Sequence, residues 1–197
     1  ETIMMGCAYA QIGKYYGLPT HMYLGLSDTK IVDAQCGFES GIGITLGAIS
    51  GINMIAGPGM LNFENCQSFE KLVVDDIFCG TALRLIRGIN VTDQTLAVDV
   101  IRRVGVGGHY LADKHTIEWF NKELFVPSEL VDRQDLKLWK KLGSRDTFQR
   151  AREIAQRILR EHKPEPLPAD VDNNLDDVVR KIMKKHGVDK LPLGQAS

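Results

Sequence analysis

Apolar residues recur at helical spacing along much of the chain, and short apolar runs that do not alternate lie between them. Residues 4–16 read as a helix ended by Gly17, with Pro19 beyond it. The run "THMYLGLS" follows as a short strand, with Ser27 and Asp28 at its end. "DAQCGFESGIGITLGAISG" then reads as a helix in which Gly37 and Gly41, and Gly47 and Gly51, recur at a spacing of four. Small residues on one face let a helix approach a neighbour closely, at about 1 kcal/mol per interior glycine relative to alanine. "INMIAG" is a second strand, expected to be buried on both faces because it does not alternate.

A longer helix is expected over residues 64–87, closed by Gly88, with Phe69, Leu72, Val73, Ile77 and Leu83 as its apolar side. "TDQTLAVDVIRRVG" reads as one further helix. Thr92 is its N-cap, Ala97, Val100, Ile101 and Val104 share a face, and Gly105 follows its end. "VGVGGHYL" is a glycine-rich turn or a short last strand, and "HTIEWFNKEL" a helix with His115 in its first turn.

Buried strands alternating with helices predict an α/β fold with a parallel sheet. Two or three strands are too few for a complete sheet of that kind. The chain begins at Glu1 with no initiator Met, so a piece of a longer polypeptide is expected, with the rest of the sheet upstream. The end of the chain differs. Ala151, Ile154, Ala155, Ile158 and Leu159, and then Leu175, Val178, Val179, Ile182 and Met183, follow the i, i+3, i+4, i+7, i+8 pattern. They predict two amphipathic helices, over 147–162 and 175–186, joined by the proline-stiffened "HKPEPLPAD". Their apolar faces are expected to be buried on the rest of the chain or on a neighbouring chain.

Charge adds little. A formal net charge of −1 gives no electrostatic case for nucleic acid. Cys7, Cys36, Cys66 and Cys79 form no C-x-x-C pair and read as reduced thiols of a cytoplasmic protein. Residues 40–63 carry no charge and are numerous enough to span a bilayer. Six glycines, Pro58 and several polar residues interrupt them, however, and no basic cluster flanks them. A buried helix followed by a buried strand is the preferred reading.

Candidate chemistry is sparse. "GIGITLG" has glycines like a dinucleotide fingerprint but lies inside a helical pattern, where that motif does not work. His109 and His115 have no cysteine at finger-like spacing, and no metal site is expected. Strand ends are more informative, because parallel barrels carry their sites where strands end and βα loops begin. Two such places are legible: Ser27 and Asp28 after the first strand, and Gly57, Pro58 and Gly59 after the second. Asp28 reads equally well as a turn residue or helix cap, and Gly-Pro-Gly as a plain turn.

The segments "GINMIAGPGML", "SFEKLVVDD", "GGHYLADKHTIEWFNKELFVPSELVDR" and "AREIAQRILREHKPEPLP" resemble the C-terminal part of the trimethylamine methyltransferase family. The resemblance covers most of the chain, and residues 107–133 are its most specific part. It implies the C-terminal half of a TIM (β/α)8 barrel over residues 1–133 and a C-terminal helical extension over 134–197. It also implies an enzyme that moves a methyl group from an amine to the Co(I) of a corrinoid protein. The cobalamin would be carried by that partner, not by this chain. A homo-oligomer is expected, and the segment alone is expected to be inactive. Family members that use trimethylamine carry pyrrolysine at a strand end that corresponds best to Pro58. Every residue here is a standard one, so the resemblance points to the branch without pyrrolysine, whose substrates are quaternary amines such as glycine betaine.

A quaternary ammonium offers no N–H. It is held by aromatic faces and carboxylates, at about 0.5–2 kcal/mol per cation–π contact. The expected substrate-binding residues are Asp28, Gly57, Gly59, Phe63, Glu64, His109 and Tyr110, with Pro58 at the catalytic position. The alternative is a non-catalytic, truncated barrel fragment with a role in assembly.

Overall fold

The structure, a computed structural model, describes residues 1–190. It divides into a first unit, residues 1–160, and a second that begins at Glu161.

The first helix, α1 (Thr2–Tyr15), turns its small residues Gly6, Ala10 and Gly13 inward. Strand β1 (His21–Tyr23) follows, then α2 (Ala34–Ser50) and β2 (Met54–Ala56). Asp33 caps α2 by accepting the Cys36 N–H at 3.2 Å, and Gly51 ends it in the left-handed conformation. β1 and β2 pair in parallel, His21 opposite Met54 and Tyr23 opposite Ala56, with α2 as the crossover. This parallel β-α-β unit bears out the α/β reading.

The close approach expected of α2 is met at Gly47 and at Gly41, which lies against the Phe78 ring, but not at Gly37. The tightest position, Gly43, was not among those expected. Gly43 and Gly47 meet the strands: a Cβ on Gly43 would lie 1.9 Å from the Leu24 carbonyl oxygen. Gly37 has open space beside it. Ala10, Leu24 and Ile52 form one buried cluster, with Ile3, Met22 and Ile55 packed against it.

β2 is not buried on both faces. Met54 is 64% exposed, and Ile55 and Ala56 are half-buried. An apolar run without alternation marks a strand that can be covered on both faces, and here one side of the pair stays open.

The helix expected from residue 64 begins later. A hairpin intervenes, β3 (Met60–Leu61) with β4 (Cys66–Gln67), antiparallel. Helix α3 (Phe69–Arg87) starts after Ser68, whose hydroxyl accepts the Lys71 N–H at 3.1 Å. The uncharged residues 40–63 are thus the end of α2, then β2, a turn and β3. Among the described residues no helix is long and apolar enough to cross a membrane.

The single helix expected over 92–105 is two, α4 (Asp93–Leu96) and α5 (Val98–Val104), because Ala97 adopts a left-handed φ of 52° between them. Thr92 caps α4 as expected, and Gly105 follows α5. Residues 105–113 form turns, not a strand. α6 (Lys114–Glu123) begins at the Asp113 cap with His115 in its first turn. α7 (Leu136–Lys141) was not foreseen.

α8 (Thr147–Glu161) matches its expected span. It places Ala151 beside Val74 and Leu130 in a second buried cluster, which Val32, Phe78 and Ile154 flank. Ala151 and Ala155 are its buried residues, while Ile158 is 50% exposed, so burial of the whole apolar stripe is not met. In the second unit, α9 (Ala169–Lys185) starts six residues before Leu175, and Leu175, Val178 and Ile182 are exposed.

Candidate functional site at the strand ends

Two loops leave the C-terminal ends of the parallel strands side by side. The N–H groups of Leu24 and Gly25 both donate to the Ala56 carbonyl, at 3.1 and 2.9 Å. Past that point Gly25 lies against the Pro58 ring: a Cβ on Gly25 would sit 2.8 Å from Pro58 Cδ. The chain then turns back. The Met60 N–H donates to the Gly57 carbonyl at 2.9 Å, with Pro58 second in the turn and Gly59, φ 86°, third. Proline followed by a residue of positive φ is the pattern of a type II turn. Ser27 N–H to Met60 O and Asn62 N–H to Thr29 O, each 3.0 Å, stitch the two loops together.

Two polar groups hold these loops from below. Glu39, on α2, accepts the Ser27 hydroxyl at 2.6 Å, the Asp28 N–H at 2.9 Å and the Gln35 amide at 2.9 Å. Burial works to raise its pKa, but these hydrogen bonds outweigh it and hold the carboxyl below its ordinary value. Lys71 and Asp75, on α3, form a fully buried ion pair. Burial pushes the Asp75 carboxyl up, and its bonds to Lys71 and the Gly59 N–H pull the other way.

Asn62, Phe63 and Glu64 have φ of 52°, 54° and 69° in succession. Left-handed backbone at three non-glycine residues costs about 1–3 kcal/mol each and concentrates at functional sites. The turn is tied by Asn65, whose side-chain amide donates to the carbonyls of Asn62 at 2.9 Å and Phe63 at 3.2 Å. It presents Phe63, 60% exposed, and Glu64 to an open hollow. Tyr9 of α1, His21 and Tyr23 of β1, Leu26 and Asp28 line the same hollow. The His21 and Tyr23 rings meet edge-on, 5.2 Å apart, and the Lys30 ammonium lies 4.8 Å from the Phe63 ring centre.

Of the expected site residues, Asp28, Phe63 and Glu64 come together on this hollow. Pro58 shapes the neighbouring turn. The space beside Gly57 and Gly59 is filled by protein: a Cβ on Gly57 would lie 2.8 Å from the Leu26 nitrogen, and one on Gly59 3.3 Å from Leu72 Cβ. His109 and Tyr110 lie on the loop between α5 and α6, where Tyr110 borders a different hollow with Ile101 and Gly107. Tyr9, His21, Tyr23 and Glu39 were missed. Lys71 and Asp75 were missed too, although two opposite charges spaced i, i+4 within the apolar run "KLVVDDI" were a legible signal.

The four cysteines are free. Burial pushes the Cys36 thiol up to about 11, which leaves it protonated and unreactive near neutral pH. Among the described residues no group of three or more His, Cys, Asp and Glu side chains is placed to hold a metal ion.

Comparison with known proteins adds what geometry leaves open. The profile of the trimethylamine methyltransferase (MTTB) family matches residues 1–187. Trimethylamine methyltransferase MttB of Desulfitobacterium hafniense is 35% identical over 188 residues, 95% of this chain and 38% of that protein. A glycine betaine methyltransferase from another strain of that species is 34% identical over 188 residues, again 95% of this chain and 39% of that protein. The Methanosarcina barkeri trimethylamine methyltransferase MttB is 34% identical over 186 residues, 93% of this chain and 37% of that protein. The chain therefore spans under two-fifths of the length of these relatives. With a match of this extent, the chain belongs to the trimethylamine methyltransferase family.

Proposed function

We propose that this chain is the C-terminal part of a TIM-barrel methyltransferase that moves a methyl group from a quaternary amine of the glycine betaine type to the Co(I) of a corrinoid protein. Residues 1–133 belong to the barrel in this reading and 134–197 to a helical extension. The strand-end hollow carries the proposal: the aromatic residues Phe63, Tyr9 and Tyr23 and the carboxylate residues Asp28 and Glu64 line it together. The Lys30 ammonium over the Phe63 ring is the cation a donor would displace. Aromatic faces and carboxylates attract a cation that has no proton to donate.

The chemistry favours a donor that arrives already quaternary. Cobalt, which belongs to the partner and is a substrate here, supplies the electron pair that takes the methyl group. The C–N bond breaks with its electrons left on nitrogen, so a neutral tertiary amine departs. Attack on a methyl group of trimethylamine would expel the unstable dimethylamide anion unless the nitrogen were first captured by an electrophile. A proton can play that part but is itself lost in preference to the methyl group. Pro58 has no electrophile. The enzyme's task is to hold the donor in line and exclude water. Asp28, Phe63 and Glu64 bind the headgroup, and Gly57, Pro58 and Gly59 set the turn beside it. His109 and Tyr110, on another loop, carry no part of this reading.

The test uses the intact protein with its corrinoid partner, offered glycine betaine, other quaternary amines and trimethylamine in turn. Growth of the methylated-cobalt absorption with a quaternary donor, and none with trimethylamine, is expected. Turnover of trimethylamine alone would end the proposal. Phe63→Ala should raise KM for the donor about 5- to 30-fold, the loss of one cation–π contact and its packing.

A further inference from the structure

We infer that Lys71 and Asp75 are positioning residues for the strand-end hollow, pinning the roots of both loops that form it. For its activity arm this rests on the methyl-transfer reading. Lys71 Nζ donates to the Gly25 carbonyl at 2.8 Å and to the Ser40 hydroxyl at 2.9 Å, and it pairs with Asp75 Oδ2. The same oxygen accepts the Gly59 N–H at 2.7 Å. Both side chains are fully buried.

Gly25 immediately precedes Leu26 and the loop that carries Asp28. Gly59 opens the hairpin whose tip carries Phe63 and Glu64. One side-chain pair on one helix therefore holds a backbone atom at the base of each loop. A buried ion pair is a weak source of stability, because apolar residues of similar volume often do as well. An apolar pair here would free the Gly59 N–H and take an acceptor and a donor from the loop roots, and such losses in a buried setting are costly. Asp75 Oδ1 is buried with no hydrogen-bond partner among the described residues. Asp75 thus directs one oxygen at two donors and leaves the other unused. That geometry suits holding the turn better than maximising the pair's own hydrogen bonds.

The experiment compares Asp75→Asn with Val74→Ala in the intact protein. Asparagine keeps the shape and one acceptor oxygen but removes the charge. Val74→Ala loosens the neighbouring core, which Val32 also flanks, without removing a hydrogen bond from either loop root. Amide hydrogen exchange is followed by mass spectrometry over peptides 24–30 and 57–68. Asp75→Asn should speed exchange in both segments by about tenfold. It should also raise KM for the donor about fivefold with a smaller change in kcat. Val74→Ala should do neither at an equal or greater loss of melting temperature. Unchanged exchange in either segment, or the same pattern from Val74→Ala, would overturn the inference. If Asp75→Asn does not fold, Ser40→Ala removes one acceptor of Lys71 and also the hydrogen bond that the Ser40 hydroxyl itself donates to the Gly25 carbonyl at 3.1 Å. The pair is then read at 57–68, where a weaker effect is expected and no effect counts against it. If the parent protein turns over no amine, the methyl-transfer reading fails, and the exchange data still decide the role of the pair.

Discussion

The loops at 57–59 and 105–108 are both rich in glycine, for different reasons. In the first, a Cβ on Gly57 would lie 2.8 Å from the Leu26 nitrogen and 3.2 Å from the Gly25 carbonyl carbon. In the second, Gly105 and Gly107 have φ of 71° and 74°, yet nothing lies within 4 Å of where a Cβ would stand. Gly57 joins close approach and handedness at one position, whereas the second loop divides them. Gly105 and Gly107 serve handedness alone, and a Cβ on Gly108 would lie 2.2 Å from the Val104 carbonyl oxygen. Their surroundings follow suit. Beneath the first loop lie Lys71 and Asp75, fully buried, whereas the second exposes Val106 and Leu111. A glycine-rich run says that the chain turns, and only its neighbours say whether the turn is anchored.

The anchor should dominate stability. Lys71→Met leaves a buried carboxylate without its cation, so a loss of about 3–5 kcal/mol is expected in urea denaturation. The matching change beside the second loop is Arg103→Met, which breaks the pair with Asp113. The Arg103 side chain is 62% exposed and the pair is screened by solvent, so its loss should be far smaller than that of Lys71→Met. Equal losses would break the comparison.

The glycines themselves sharpen it. Gly57→Ala adds a clash with rigid backbone to an unfavourable φ of 103° and should cost about 2–4 kcal/mol. Gly107→Ala has open space and should cost only about 1–2 kcal/mol, the left-handed penalty. Paired melting curves of the two variants check the difference.

Acid should loosen the first loop too. Glu39 has a pKa depressed below the usual glutamate value of 4.5, so the unfolded chain binds its proton more readily than the folded one. The stability from its bonds to Ser27, Asp28 and Gln35 is present above about 4.5 and is lost as pH falls through the depressed value. Glu39→Gln should flatten the pH dependence of stability in that acid window, and an unchanged slope would remove Glu39 from the anchor.

Much of the helical frame was legible because caps and periodicity act locally. Thr92 and the stripe of α8 placed the starts of their helices within a few residues. The parallel pairing of β1 with β2 followed from strand, helix, strand order. The hairpin at 60–67 was not legible, since its two-residue strands carry no period and its turn uses left-handed Asn62, Phe63 and Glu64 rather than glycine. Of the candidate site, Asp28, Phe63 and Glu64 were legible as strand-end residues. Tyr9 and Tyr23 were not, because nothing local distinguishes an aromatic that faces a hollow from one in a core.

The smallest expected effect lies between α4 and α5. Ala97 holds a φ of 52° there, a conformation that clashes Cβ with the following carbonyl and costs about 1–2 kcal/mol. Local hydrogen bonds sustain it: the Ala97 N–H donates to the Asp93 carbonyl at 3.2 Å, and the Ala97 carbonyl accepts the Ile101 N–H at 3.0 Å. Glycine would remove the strain, at about 0.5–1 kcal/mol for the freer unfolded chain. Ala97→Gly should therefore stabilise the protein by roughly 0.5 kcal/mol, the difference of those two terms. It would make Ala97 resemble Gly105 and Gly107, where glycine serves handedness alone. The denaturation midpoint of the variant against its parent is the measurement. A loss of about 1 kcal/mol, the usual cost of glycine inside a helix, would mean instead that residues 93–104 run as one continuous helix.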